Sequence, residues 1–228
     1  MKPVGIFILF FSIFFYVEQA YSQTNSFVPE WSYGVNGGLT FSKISFNSKV
    51  SIPQESLMQF SGGLTGRYIS DKHFGIQVEL NYSQRGWKEL TDTVYLNKYS
   101  RSISYLELPF LTHIYFDLGK NVRLIFNLGP QIGYYIGSKE LEREINDSGR
   151  ESSYYDLPVQ KSFDYGLKGG MGLELRTKAG SFILDGKYYF GLSDIFNNTK
   201  ADFFQASPNK IIGVNLTYLF KLREKSKE

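Results

Sequence analysis

The sequence predicts an all-β protein: an eight-stranded antiparallel up-and-down transmembrane β-barrel with short periplasmic turns and long extracellular loops. Eight segments alternate apolar and polar side chains, which is the pattern of a strand with one apolar face. The connections between these segments alternate long and short, beginning with a long one. Outer-membrane barrels combine an even number of strands with short turns at one end and longer loops at the other. A soluble lipocalin-like barrel would instead place its apolar face inside.

The first four strands are predicted over residues 31–41, 58–68, 74–84 and 103–116. The first presents Trp31, Tyr33 and Val35 on its apolar face, and the others follow the same alternation. Aromatic residues lie near both ends of the strands, as in the interface girdles of membrane barrels. In the fourth strand Pro109 cannot donate a ladder hydrogen bond, so we expect a bulge or a local bend there.

The last four strands are predicted over residues 122–137, 163–176, 182–192 and 210–220. The sixth, FDYGLKGGMGLELR, is the most informative because its odd positions are apolar or glycine while its even positions carry four charges among glycines. As a helix it would hold four interior glycines, each costing about 1 kcal/mol relative to alanine. A long strand with one apolar face and one charged, glycine-rich face suits the wall of a small membrane barrel.

The charged face of these strands is predicted to point into the barrel, because a Lys or Arg facing lipid at mid-bilayer would cost about 2–4 kcal/mol. Five basic and four acidic side chains form this predicted lumen polar network: Arg67, Glu79, Glu107, Arg123, Lys168, Glu174, Arg176, Asp185 and Lys187. The near balance suggests mutually satisfied ion pairs. A proton or ion relay through Glu79, Glu107 and Glu174 is the alternative. Because side chains can fill an eight-stranded barrel, we expect a plug rather than a diffusion pore.

The predicted domains are a signal peptide (1–22), a short lead-in (23–30), the barrel (31–220) and a polar tail (221–228). Lys2, the apolar run 4–17 and the small residues Ala20 and Ser22 fit a cleavable export signal. The alternative is a permanent anchor, but the run is short for a bilayer span of about 20 residues. The chain is therefore expected to be exported across the inner membrane of a Gram-negative bacterium to its outer membrane. No transmembrane helix is predicted.

Composition argues against several other classes of function. The chain has no cysteine, a net charge of +3 and no basic stripe, so we expect no nucleic acid partner and no thiolate chemistry. No cofactor fingerprint or metal-ligand spacing occurs, and we predict no cofactor, metal or catalytic residue. Only His73 and His113 could act as a histidine base. His113 is the best candidate for a surface lipid-modifying enzyme, although an interior polar role is simpler.

Four long loops, over residues 42–57, 85–102, 138–161 and 193–209, are where a partner or ligand would bind. The charge run within residues 139–151 is expected to be a solvated loop, with a short helix as the alternative. Six aromatic residues are the exposed candidates for binding: Tyr95, Tyr99, Tyr154, Tyr155, Phe203 and Phe204. The alternative is that these rings pack the loops against one another.

Several segments together resemble the PorT-like outer-membrane β-barrel family of Bacteroidetes. They include GVNGGLTFS from Gly34, ELNYSQRGW from Glu79, YLELPFL from Tyr105, NLGPQIGYY from Asn127 and NKIIGVNLTYLF from Asn209. The sixth strand and YYFGLSDI also match, so the resemblance covers nearly the whole predicted mature chain. It implies an eight-stranded outer-membrane barrel and no shared catalytic residues. One departure is the tail, since many such barrels end on the last strand's aromatic residue.

The sequence thus predicts a non-enzymatic, monomeric outer-membrane barrel that presents four surface loops and contacts outer-membrane lipids. Two alternatives remain open. One is an accessory component of protein secretion or envelope assembly, which the PorT-like resemblance suggests by analogy. The other is a small surface lipid-modifying enzyme.

Overall fold

The computed structural model describes residues 27–48, 54–89, 98–144, 155, 157–197 and 204–222. Eight long strands make up most of this part of the chain. They are β1 (Glu30–Ile44), β2 (Leu57–Asp71), β3 (Phe74–Glu89), β4 (Lys98–Asp117), β5 (Val122–Glu144), β6 (Phe163–Arg176), β7 (Ser181–Asp194) and β8 (Pro208–Leu222). A helix long and apolar enough to cross a bilayer does not occur among these residues. The predicted signal peptide lies outside them.

The eight strands form a closed antiparallel ring in which each strand pairs with its neighbours in sequence, and β1 pairs with β8. Trp31 lies opposite Leu222 at one end of the closing ladder, and Ile44 lies opposite Asn209 at the other. Three tight turns, at Asp71–Phe74, Asp117–Val122 and Arg176–Ser181, lie at the end that also holds the start of β1 and the finish of β8. The predicted all-β eight-stranded barrel is confirmed.

The alternation of the sequence appears directly as the two faces of the wall. Apolar side chains such as Val35, Leu64, Phe110 and Leu184 lie on the outside and are about half exposed, as expected for side chains that lipid would cover. Polar side chains at the intervening positions are buried in the lumen. Aromatic pairs, among them Trp31 with Tyr68 and Tyr134 with Phe163, lie on the outside towards the two ends of the barrel.

Several strands are longer than predicted, and the largest difference concerns the charge run after residue 138. This segment was expected to be a loop or a short helix, and that expectation is wrong up to Glu144 because β5 continues through it. The extension is paired: Lys98 lies opposite Glu144 and Ser100 opposite Glu142. At the chain ends the barrel also begins at Glu30 rather than 31 and finishes at Leu222 rather than 220.

The strand pairing does not shift at Pro109. Leu108 lies opposite Ile132 and Thr112 opposite Leu128, so β4 and β5 keep one register across the proline. The bulge expected there is therefore wrong, while the alternative, a local bend, stays a prediction. The irregularities of this ladder lie between Ser100 and Arg101 and between Ser104 and Tyr105, towards the loop end. Short strand pairs add to that end: Asn47–Ser48 with Phe204–Ala206, and Gln54–Glu55 with the last residues of β3.

Candidate functional site: the filled barrel interior

The lumen is filled at three successive levels. An apolar layer lies near the tight turns, a layer of ion pairs lies in the middle, and an aromatic layer lies at the loop end. The first layer consists of Ile69, Tyr115, Ile125, Ile183 and Leu219, with Phe27 packed against it. These residues continue the inward-facing positions of their strands. Apolar side chains therefore close the lumen at the end of the tight turns.

The middle layer contains a buried ion pair between β2 and β6. Arg67 donates two hydrogen bonds to Glu174, at 2.8 Å and 3.1 Å, and neither side chain is more than 1% exposed. Arg67 Nη1 also lies 3.4 Å from His113 Nε2, while His113 Nδ1 lies 2.8 Å from Asn127 Oδ1. Both ring nitrogens of His113 thus have polar partners in the lumen. The arrangement holds the Arg67 guanidinium in place rather than leaving a base free.

A second buried group joins β3 and β7. The Lys187 ammonium lies 2.7 Å from a Glu79 carboxylate oxygen and 3.5 Å from Asp185 Oδ2. Gln77 and Asn81 each donate a further hydrogen bond to Glu79. The Glu79 carboxylate is therefore surrounded by donors from its own strand and from the strand across the lumen.

Arg85 is the most connected charge of the middle layer, and it is not among the nine residues predicted for the lumen. Its guanidinium donates to Glu107 Oε1 at 2.7 Å and 2.9 Å and forms an ion pair with Asp164, which also accepts hydrogen bonds from Tyr189 and Ser193. The rings of Tyr105 and Tyr189 lie on the guanidinium, each 4.6 Å from its central carbon. Cation–π contacts of this kind gain strength when water is excluded.

The remaining members of the predicted network occupy different depths. Lys168 lies 3.5 Å from Glu107 and so belongs to the Arg85 group. Arg123 and Arg176 lie near the tight turns. Their partners are Asp117 and Glu30, each at 2.8 Å. The nine predicted residues are thus all on inward positions, but they form separate groups rather than one network.

The third layer is a cluster of aromatic and aliphatic side chains at the loop end, here called the outer cap. Its buried members are Ile44, Trp87, Tyr99, Ile103, Tyr105, Tyr155, Ile195 and Phe196. Trp87 is 1% exposed, and its ring centroid lies 5.3 Å from that of Phe46 and 5.8 Å from that of Tyr99. Both the Trp87 indole and the Tyr155 hydroxyl donate to Glu89. The outer cap closes the lumen on the side of the long loops.

Two of the six predicted loop aromatics belong to the outer cap and are not exposed. Tyr99 is 1% and Tyr155 7% exposed, and their ring centroids lie 4.5 Å apart. The expectation of exposure is wrong for these two, because strand β4 begins earlier than predicted and turns Tyr99 inward. Phe204 begins a short strand. Tyr95, Tyr154 and Phe203 lie outside the described residues.

Polar contacts fasten returning loop segments to the extended β4–β5 ribbon. Arg101 donates to the Leu157 carbonyl oxygen at 2.6 Å and to Ser138 Oγ at 3.0 Å. At the end of the ribbon the hydrogen bond to the Glu144 carboxylate raises the pKa of the Lys98 ammonium above its ordinary value. These contacts make the loop end a packed platform for the part of the chain that the structure describes.

One glycine is required by this architecture. Gly86 has a φ of +153°, and a Cβ at this position would lie 1.9 Å from the Arg101 carbonyl oxygen. It falls between Arg85, in the middle layer, and Trp87, in the outer cap. Strands β3 and β4 lie too close together here to accommodate any residue with a side chain at position 86.

The described part of the lumen contains a small cavity. A cavity of about 20 Å³ lies between the Glu79–Lys187 group and the Arg85 group, lined by residues that include Glu107, Lys168 and Lys187. That volume is room for about one water molecule. Among the described residues no group of three or more His, Asp or Glu side chains is arranged to hold a metal ion. The interior is thus a packed polar core.

Comparison with known proteins gives one matching protein family and several similar solved structures. The model of the family described as "Outer membrane protein beta-barrel domain" matches residues 21–197. Comparison with curated protein sequences finds no match. Among solved structures, OprG from Pseudomonas aeruginosa is 14% identical, with 86% of this chain and 95% of that chain covered and a TM-score of 0.46. Neisserial surface protein A is 10% identical, with 82% of this chain and 96% of that chain covered and a TM-score of 0.45. Ail of Yersinia pestis is 14% identical (84% and 99% covered, TM-score 0.40).

Proposed function

The chain belongs to the outer membrane protein beta-barrel domain family, and we propose that it is a closed, non-enzymatic barrel whose loop end is its functional surface. One observation carries this proposal: among the described residues, apolar, ionic and aromatic layers fill the lumen in succession, and the cavity between the two central ion-pair groups is about 20 Å³. An eight-stranded barrel has an interior that side chains alone can fill. A solute crossing this one would have to break several buried ion pairs.

The closed state can be tested directly. The purified barrel, inserted in a planar lipid bilayer, is expected to give no stepwise ion currents, with insertion verified by the usual heat-dependent shift of a folded barrel on a gel. Reproducible single-channel currents from the wild-type protein would overturn the proposal. A relay through Glu79, Glu107 and Glu174 is disfavoured on the same grounds, because each carboxylate is already held by a Lys or Arg.

The non-enzymatic part of the proposal is supported by the placement of His113. The side chain is fully buried, and its two ring nitrogens face Asn127 and Arg67. A base that acts on a lipid must reach the proton it abstracts. The His113 side chain is buried in the lumen, on the inner side of the wall. Replacing His113 with Ala should leave the lipid profile of the cell unchanged. An altered lipid profile in cells whose variant barrel is still folded would support the alternative of a lipid-modifying enzyme.

The loop end is proposed as the functional surface because the barrel holds it rigidly. In the outer cap Phe196 packs against Trp87 of β3 and Tyr155 packs against Tyr99 of β4, and the two packed residues come from different connections. Binding surfaces are commonly loops fixed on a rigid scaffold. A deletion strain assayed for surface binding, permeability and secretion is the most informative test. A defect in surface binding alone is the expected outcome.

A second candidate is an accessory role in protein secretion or envelope assembly, in line with the PorT-like resemblance. The observation that favours it is at the opposite end, where each tight turn exposes one lysine: Lys72, Lys120 and Lys178. Such a basic rim would suit an acidic periplasmic partner. A barrel tagged at its C-terminus should then co-purify secretion subunits, and replacing the three lysines with Glu should abolish this. Loss of secretion in the deletion strain would favour this role over the first.

A further inference from the structure

The outer wall of the barrel carries two lysines on directly paired positions of β1 and β8. Lys43 lies opposite Lys210 in the closing ladder, and both follow the outward alternation of their strands. The Cβ atoms of directly opposed residues on one face lie about 4.5–5.5 Å apart, and like charges there destabilise a sheet. The Lys210 ammonium lies 5.9 Å from the centre of the Phe190 ring. Among the described residues no carboxylate lies within ion-pair distance of either ammonium group. An anion bound between the two lysines would remove this repulsion.

The two lysines line the upper part of a groove on the outside of the barrel. This part has a volume of about 540 Å³. Besides the lysines it is lined by the polar residues Ser45, Gln54 and Ser56 and by the apolar residues Phe41, Ile44, Phe46, Tyr188 and Ile212. Its position is towards the long loops, the end that faces outwards in barrels of this architecture. The groove thus joins two cationic groups to an apolar surface at the level of the outer headgroups.

A second groove, of about 840 Å³, shares Tyr188 and Ile212 with the first and continues it over the wall. Its outward side chains form two parallel rows across β4 to β8. One row runs Ile212–Tyr188–Gly169–Leu128–Thr112, and the other runs Val214–Gly186–Met171–Phe126–Ile114. Because the strands of membrane barrels are tilted by about 35–45°, these rows run obliquely through the bilayer rather than parallel to its plane.

Two lipid-facing glycines create the depth of this lower groove. Gly169 lies opposite Tyr188, and Gly186 lies opposite Val214 and Met171. A Cβ at Gly186 would have no atom within 4 Å, so the wall has an open dent at that point. Nothing in strand packing requires a glycine there. The dent would instead accommodate an apolar chain lying against the wall.

We propose that this composite groove binds one phosphate-bearing lipid of the outer leaflet. The phosphate lies between Lys43 and Lys210, and an acyl chain follows the apolar groove past Tyr188 towards Gly186. Charge complementarity at the upper end and an apolar channel continuous with it fit an amphiphile with an anionic head. The inference goes beyond the closed-barrel function and is independent of whether the lumen conducts.

The test uses the full barrel in neutral detergent with lipid A, a bis-phosphorylated acylated disaccharide, as the probe. Native mass spectrometry counts lipid molecules retained per barrel across a titration. The wild type should retain one. Replacing both lysines (K43Q with K210Q) should weaken retention about 30-fold, since a lysine near an anionic headgroup contributes about fivefold. The matched control, K72Q with K120Q, removes the same charge at the opposite end and should leave retention unchanged.

The groove is tested separately from the lysines. Gly186→Leu fills the dent and should weaken retention roughly tenfold, the equivalent of losing about two buried methylene contacts. Gly37→Leu is its control. Gly37 is also outward-facing, and its Cβ would meet only the Ser61 carbonyl oxygen at 3.8 Å. Each variant must show the gel shift of a folded barrel before it is compared.

Three outcomes would overturn lipid binding at the two lysines, and a fourth would overturn the acyl-chain path. One is equal retention by the wild type and by the K43Q–K210Q variant. Another is equally weakened lipid retention in the K43Q–K210Q variant and in the K72Q–K120Q control, because the attraction would then not depend on the local pair of lysines. The third is equally tight binding of deacylated lipid A, which would indicate a soluble phosphate ligand in place of a lipid. Loss with the lysine pair but not with Gly186→Leu would refute the acyl-chain path.

Discussion

Removing Arg67 alone should strongly destabilise the barrel, whereas removing it together with Glu174 should not. The two side chains are almost completely buried and share two hydrogen bonds. Arg67→Met would leave the Glu174 carboxylate without its cation in the lumen. Loss of one partner of a buried pair costs about 3–5 kcal/mol, whereas replacing both with apolar residues is often neutral or stabilising. The double variant Arg67→Met with Glu174→Met is therefore expected to approach the wild type.

The measurement is reversible urea unfolding of the barrel in lipid vesicles, followed by tryptophan fluorescence. With a slope of about 2 kcal/mol per molar urea, a loss of about 3 kcal/mol lowers the midpoint by about 1.5 M. The control is Arg143→Met, which removes a pair with Glu140 in which both side chains are more than a third exposed. Solvent screening should keep its effect to about 0–1 kcal/mol.

Two results would refute this reasoning. If Arg67→Met unfolds at the same urea concentration as Arg143→Met, the lumen pair is not desolvated as the structure indicates. If the double variant is as unstable as the single one, the cost comes from lost packing and not from an uncompensated carboxylate. A double-mutant cycle of the wild type, Arg67→Met, Glu174→Met and the double variant separates these cases. Its coupling free energy is expected to be about 6 kcal/mol or more, because each single removal costs about 3–5 kcal/mol and the double removal costs about none.

Three further predictions concern the layers around this pair. Trp87→Ala should cost about 3–5 kcal/mol in the same urea assay, because it opens a cavity in the outer cap; a cost below about 1 kcal/mol would contradict the packing. Gly86→Ala should fail to give a folded band on a gel, whereas Gly137→Ala, whose Cβ meets no atom within 4 Å, should fold normally. Tyr189→Phe removes one hydrogen bond to a buried carboxylate and should cost about 1–3 kcal/mol, whereas the lipid-facing Tyr165→Phe should change stability little.

The sequence predicts which face of each strand points out of the barrel, because the membrane imposes a strict alternation of apolar and polar residues. A one-residue error would place a charge in lipid. In β6 the predicted and observed bounds agree, since the apolar face begins at Phe163 and a tight turn follows Arg176. Where the alternation is strong and a turn follows directly, local pattern and global fold favour the same bounds.

The partners within the lumen could not be predicted in this way. Lys168 and Glu174 lie on the same face of β6, yet Glu174 pairs with Arg67 from across the barrel. Such a pairing depends on the closure of the ring, which no local segment encodes. Arg85 was missed for a different reason. It continues the inward series Gln77, Glu79, Asn81 and Ser83, but Gly86 supplies no apolar residue on the other face, so the predicted strand ended at residue 84.

The ends of β4 and β5 explain why hydropathy misplaces strand boundaries at the loop end. The alternation of β5 fades after residue 137, where the charged segment Lys139–Glu144 begins. This segment stays in the sheet because Lys98–Ser102 of β4 provide its hydrogen-bonding partners. Charged side chains are excluded from lipid but not from the part of a strand that lies in water. The end of the apolar–polar alternation therefore marks the edge of the bilayer and not the end of the strand. Seven residues beyond that point extend the ribbon by about 20 Å. The surface proposed for a partner therefore includes a paired ribbon packed against the outer cap, rather than the free loop that the charges suggested.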